Sequence, residues 1–170
     1  MATTYTLISS VTVGSGGAAN ITFSSIPSTY TDLLIKVSAR NTASAAIDVL
    51  VSFNGTTTTY SDRILYGSGS ATGSVTDTGA AGVYGVLNTI STDTASTFSN
   101  CEFYIPNYAG SNNKSVSLDS VNENNAAGAY SYLAAGLWAS SSAITSIKIA
   151  PSSNNLAQYS TAYLYGISNA

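Results

Sequence analysis

The sequence has no histidine, one cysteine, three prolines, and charged side chains at only 8% of its 170 positions. Each scarcity excludes something. Proton transfer near neutral pH normally falls to His, or to Glu, Lys or Cys groups tuned by burial and neighbours. A Ser/His/Asp triad cannot be assembled, and a thiolate at Cys101 would have no His partner. A lone cysteine also excludes an intramolecular disulfide. The five cations, Lys36, Arg40, Arg63, Lys114 and Lys148, are scattered and the net charge is −3. Nucleic-acid binding by counterion release needs clustered Lys and Arg, so no nucleic-acid partner is expected. No apolar run reaches the roughly 20 residues that span a bilayer, and the opening Met1-Ala2-Thr3-Thr4-Tyr5 has no leader pattern. Synthesis in a cytoplasm and no membrane partner are therefore expected, and the chain reads as a non-enzyme without cofactor.

What is present is hydroxyl, amide and aromatic. Twelve tyrosines stand among abundant Ser, Thr and Asn, and 44% of residues are hydrophobic. A chain of this size can bury roughly 70% of the surface its unfolded form exposes, enough for one core without metals or disulfides. One domain over residues 1–170 is expected.

Apolar residues recur with a period of two in short runs broken by Gly, Asn, Ser and Thr, the pattern of half-buried strands. Tyr5 and Leu7 alternate and then, after a shift, Val11 and Val13; Gly14-Ser15-Gly16-Gly17 turns the chain toward Asn20–Phe23, predicting a hairpin. The strongest strand runs over 32–40. Ile47–Phe53 leads into Asn54-Gly55, a common hairpin signal, although the following Thr56–Thr59 run suggests a longer loop, and Arg63–Tyr66 is short. Residues 67–82, rich in Gly, Ser, Thr and Ala, predict a long exposed loop. Strands follow at 83–87, 97–105, 115–121, 130–138, 144–149 and 162–167, while 126–129 reads as loop. About ten short strands predict an all-β fold, a single antiparallel β-sandwich of jelly-roll-like form, with a barrel as the alternative.

The acidic residues lie mostly at strand starts and turns in this reading. Asp119 and Glu123, among Asn122, Asn124 and Asn125, make an oxygen-rich cluster, but two carboxylates are few for calcium and the EF-hand spacing is missing. No metal site is assigned. Gly14-Ser15-Gly16-Gly17 lacks the Lys and the helix of a phosphate loop. Most tyrosines fall on strands and belong to the core or its edge. Tyr60, Tyr108 and Tyr159 fall in loops beside Asn, Ser or Thr, and with Asn112 and Asn113 they are the expected partner contacts.

The segments Ile26-Pro27-Ser28-Thr29-Tyr30-Thr31-Asp32-Leu33-Leu34, Phe53-Asn54-Gly55, Tyr104-Ile105-Pro106-Asn107-Tyr108 and Leu164-Tyr165-Gly166-Ile167 resemble those of small β-rich virion structural proteins of tailed bacteriophages, notably of marine and cyanobacterial hosts. The resemblance spans most of the chain and rests on short motifs without a catalytic signature. It implies a virion location. With no room for an attachment region and a repetitive shaft, the expected role is a capsid decoration or cement protein on the outer capsid surface. It would bind the major capsid protein or other virion proteins and form a homo-oligomer, with a trimer as the guess. The alternative is a tail-fibre or receptor-binding module whose loop aromatics take a glycan.

Overall fold

The computed structural model describes residues 4–45, 47–85, 89–125 and 129–168. Twelve strands and no helix occur among them: β1 (Tyr5–Thr12), β2 (Ile21–Phe23), β3 (Asp32–Ala39), β4 (Val49–Phe53), β5 (Tyr60–Gly67), β6 (Thr72–Ala80), β7 (Val83–Gly85), β8 (Ser99–Ile105), β9 (Lys114–Val121), β10 (Ser131–Trp138), β11 (Ile147–Pro151) and β12 (Thr161–Ile167). An eight-stranded sheet in the order β1-β12-β3-β8-β9-β10-β5-β6 faces a four-stranded sheet in the order β2-β11-β4-β7, and every pairing is antiparallel. The fold is the expected all-β, jelly-roll-like sandwich, with more strands than the ten or so expected.

Alternation builds the core. On β9, Val116, Leu118 and Ser120 point inward and Ser115, Ser117 and Asp119 outward. Inward residues of the two sheets meet in one cluster that includes Leu33, Ile35, Val51, Phe103, Ile147, Ile149 and Leu164, all at most 1% exposed. Phe53 lies 5.6 Å from Trp138 and 6.0 Å from Tyr60, ring centre to ring centre, and Tyr60 stacks on Trp138 at 6.2 Å.

Three local expectations are corrected. First, β1 and β2 are no hairpin: β1 pairs with β12 and β2 with β11, in different sheets. The shift in alternation after Leu7 is a bulge, between Leu7 and Ser9, that leaves Tyr5 and Leu7 facing solvent and turns Val11 and Val13 inward. Second, Asn54-Gly55 forms the tight turn that the dipeptide favours, with φ of 52° and 70° and Thr56 N–H bonded to the Phe53 carbonyl, but it closes no hairpin: the longer loop expected after it carries the chain to Tyr60 in the other sheet. Third, residues 72–80 are a strand. β6 shows little apolar alternation because both its faces are largely exposed, and it is held by its ladder to β5. Of the strand expected over 83–87, residues 83–85 are β7. Residues 86–87, like 126–128 of the expected loop, lie outside the described residues.

The four segments that carry the resemblance converge at one place. Asp32 accepts from the Tyr104 hydroxyl at 2.8 Å and from Asn107 N–H at 2.9 Å. The Tyr108 hydroxyl donates to the Pro27 carbonyl, and Tyr30 packs so closely on Gly166 that a Cβ there would lie 2.3 Å from its ring. Asn54 accepts from Thr145 N–H and Ser146 N–H and donates to the Ala143 carbonyl, while Ile26 N–H bonds to Thr145 and Ile144 N–H to Tyr108. These motif residues tie strand ends together.

Candidate functional site

Burial separates the expected contact residues. Tyr60 and Tyr108 are 1% and 0% exposed. Tyr60 opens β5, and its hydroxyl accepts from Phe53 N–H at 2.7 Å; Tyr108 sits in a turn folded inward against Pro27. Both are core residues, because each ring fills the interior while its hydroxyl satisfies a backbone group. Tyr159 is 68% exposed with φ 70°, and Asn112 and Asn113 are exposed. They do not form one surface. Tyr159 precedes β12 at the end of the sheet where Thr161, Ser38, Asn100 and Val121 align, whereas Asn112 and Asn113 precede Lys114 at the other end of β9.

The surface that stands out is the outer face of the eight-stranded sheet. Of ten large apolar or aromatic side chains exposed among the described residues, eight lie on it: Tyr5, Leu7, Leu65, Tyr104, Val121, Leu133, Leu137 and Tyr163. The outer face of the small sheet carries Thr22, Ser52 and Lys148 in register. Across β12, β3, β8, β9, β10 and β5 one outward row reads Tyr163, Lys36, Glu102, Asp119, Leu133, Leu65, and the next reads Tyr165, Leu34, Tyr104, Ser117, Ala135, Arg63. The face therefore has two halves. On β5 and β10, Leu65 and Leu133 stand directly opposite each other, each 60% exposed, and Leu137 lies on the same face four residues along β10, past the Ala135 and Arg63 pair. On β12, β3, β8 and β9 a shallow groove of about 420 Å³ runs past Tyr163, Tyr165, Lys36, Glu102, Asn100 and Asp119.

The groove is ordered by its own contacts. Lys36 and Glu102 form an ion pair of 2.6 Å, and the carboxylate beside it raises the ammonium pKa. Both groups are too exposed for the pair to add much stability. Tyr163 and Tyr165, two residues apart on one face, hold their rings 6.5 Å apart and 24° from parallel. The Tyr104 hydroxyl is fixed by Asp32, which raises its pKa. Beneath the groove Cys101 is 5% exposed, and burial pushes its thiol well above the ordinary range. A protonated thiol there is a poor nucleophile.

Two acidic residues depart from their expected placing, Asp62 within β5 and Asp77 within β6, whereas Glu102 and Asp119 lie in strands as expected. Asp62 is 1% exposed between the sheets, and desolvation pushes its carboxyl up to about 6. Such a pKa is what general-acid catalysis needs, but this carboxyl is enclosed. Its Oδ2 accepts from Tyr84 N–H at 3.4 Å, its Oδ1 has no partner among the described residues, and Val83 packs above Gly136 beside it. In the Asp119–Glu123 stretch, Glu123 accepts from Asn125 N–H and Asn122 from Tyr130 N–H, so these oxygens serve the backbone. Among the described residues no group of three or more Asp, Glu, Cys or His is placed to hold a metal ion.

This face lies on strands, whereas the contacts expected from the sequence lie in loops. A signal was there: β10, Ser131-Tyr132-Leu133-Ala134-Ala135-Gly136-Leu137-Trp138, and Ile64-Leu65-Tyr66 of β5 are apolar at both parities, which a strand with one wet face does not need. No helix among the described residues is long and apolar enough to cross a membrane. Compared with protein-family models, curated proteins and solved structures, the chain matches none.

Proposed function

We propose that the chain is a structural protein of a tailed-phage virion, a decoration module that binds the outside of the assembled capsid and holds neighbouring capsid subunits together. The observation that carries this reading is the concentration of exposed apolar side chains on one sheet face, centred on Leu65, Leu133 and Leu137. Contiguous exposed apolar surface marks interaction sites. Its chemistry suits attachment by shape and apolar burial. The free edge of β6, nine residues long with Asp77 its one charge, adds a second means of contact, since an unpaired edge can accept a strand from a neighbour. A module that binds the assembled shell and not its separated subunits stabilises the shell by mass action, and many symmetric copies multiply a modest contact. The resemblance of the motif segments to virion proteins supports the same location, and self-association, with a trimer as the working stoichiometry, would place several copies of the face around a capsid symmetry axis.

The test is to bind the purified protein to capsids lacking it and image the particles. Density on the outer capsid surface, together with loss of binding by Leu133→Lys at unchanged melting temperature, is the expected result. Density confined to the tail would overturn decoration in favour of the receptor-binding alternative.

A further inference from the structure

We propose that the groove across β12, β3, β8 and β9 is a binding site for a neutral oligosaccharide. The inference gives a site and a ligand class to the glycan-binding alternative, and it does not depend on where the chain sits in the particle. Sugar recognition needs aromatic surface for the ring's C–H groups and placed polar groups for its hydroxyls, a version of the general rule that small-ligand sites pair aromatic walls with a few placed polar atoms. Tyr163 and Tyr165 supply the aromatic wall, their rings stacked 6.5 Å apart and 24° from parallel on one strand. Asn100 on β8 and Asp119 on β9, two and three strands away, line the same groove, and neither side chain hydrogen-bonds to any described residue. Their hydrogen-bonding capacity is directed outward and unspent.

Spacing and charge narrow the ligand. The outward row from Tyr163 through Lys36 and Glu102 to Asp119 crosses three inter-strand steps, about 14 Å at the usual strand separation. That length suits a short oligosaccharide lying across the strands better than a single sugar. A second depression of about 320 Å³ shares Lys36, Glu102 and Tyr165 and continues the path toward Tyr5. Lys36 is spent on Glu102, and Asp119 leaves the groove with a net negative charge, which disfavours sulfated or uronic-acid chains. A neutral chain has hydroxyl donors for Asp119 and acceptors for Asn100 and meets no repulsion.

The full chain, labelled fluorescently, is applied to an array of defined neutral oligosaccharides (gluco-, galacto-, manno- and N-acetylhexosamine oligomers) with sulfated and uronic-acid chains alongside, and the best binder is titrated calorimetrically. Saturable binding to neutral oligomers is expected, reduced at least tenfold by Tyr163→Ala and by Asp119→Asn and unchanged by Leu133→Lys, with all three variants keeping the parent melting temperature. Tyr163→Phe, which keeps the ring, should retain binding. Absence of saturable binding to any neutral oligomer, preference for the anionic chains, or binding that both groove variants leave intact would overturn the inference. Capsid attachment by the same variants is scored separately, so a failed groove leaves the decoration reading standing and a failed decoration reading leaves the groove.

Discussion

Single side chains in this protein mostly spend their charge on the backbone. Lys114 is wholly buried, and its ammonium donates to the carbonyls of Gly110, at 2.8 Å, and Asn112; burial lowers its pKa. Asp62 is the less well-satisfied case. Its carboxyl is raised to about 6 from an unfolded value near 3.8 because desolvation outweighs its hydrogen bond from Tyr84. The folded state therefore holds this proton more tightly than the unfolded chain. The stability it contributes is fully present below about pH 3.8 and is lost as pH rises through about 6. The difference is on the order of 2 to 3 kcal/mol. Asp62→Asn removes the ionisation, so urea midpoints measured from pH 4 to 8 should fall with pH in the parent across that window and stay flatter in the variant. Equal slopes in both would show that Asp62 binds its proton no more tightly in the fold than in the unfolded chain. Tyr60 and Tyr108 show why exposure could not be read locally: a tyrosine beside polar residues looks the same whether its loop faces out or folds in.

At the level of elements, joints and edges matter most. Arg40, one residue beyond β3, donates five hydrogen bonds, to the carbonyls of Ser91, Asp93, Thr94 and Thr97 and to the Thr97 hydroxyl, and so fastens the 91–97 segment to the sheet. Arg40→Ala should cost about 1–3 kcal/mol, since it leaves several carbonyls without their charged donor. Hydrogen exchange should rise over residues 91–97 and stay slow in β3 and β8; uniform loss of protection would mean that Arg40 supports the whole sandwich. The edges are unequal. β2 and β7 are three residues each and β1 is bulged, all devices that limit edge pairing, whereas β6 is long, with one acidic and no basic side chain. Strand existence was legible from the period of two wherever one face is buried. It was illegible in β6, whose side chains are exposed on both faces and whose order comes from β5 alone.

Over the whole molecule, the net charge of −3 and the dispersal of five cations leave no strong field to steer or hold a partner. Retention on capsids should accordingly change little from about 0.05 to 0.5 M salt, a range over which exposed ion pairs are screened out. Steep release over that range, followed by sedimentation of particles, would contradict attachment through the Leu65–Leu133 face. The two halves of that face differ in chemistry, leucines on β5 and β10 and tyrosines with carboxylates on β12, β8 and β9. The sequence by itself determined the all-β class, the short strands and the absence of catalytic histidine, because alternation and composition are local properties that neighbours cannot alter. It also placed the Asn54-Gly55 turn, whose backbone preference belongs to those two residues. Only the tertiary structure decided which sheet each strand joins, which tyrosines are buried and which apolar residues remain outside. Those outcomes depend on pairing between residues as distant as Asp32 and Tyr104, and on a four-stranded sheet covering one face of an eight-stranded one and leaving the other bare.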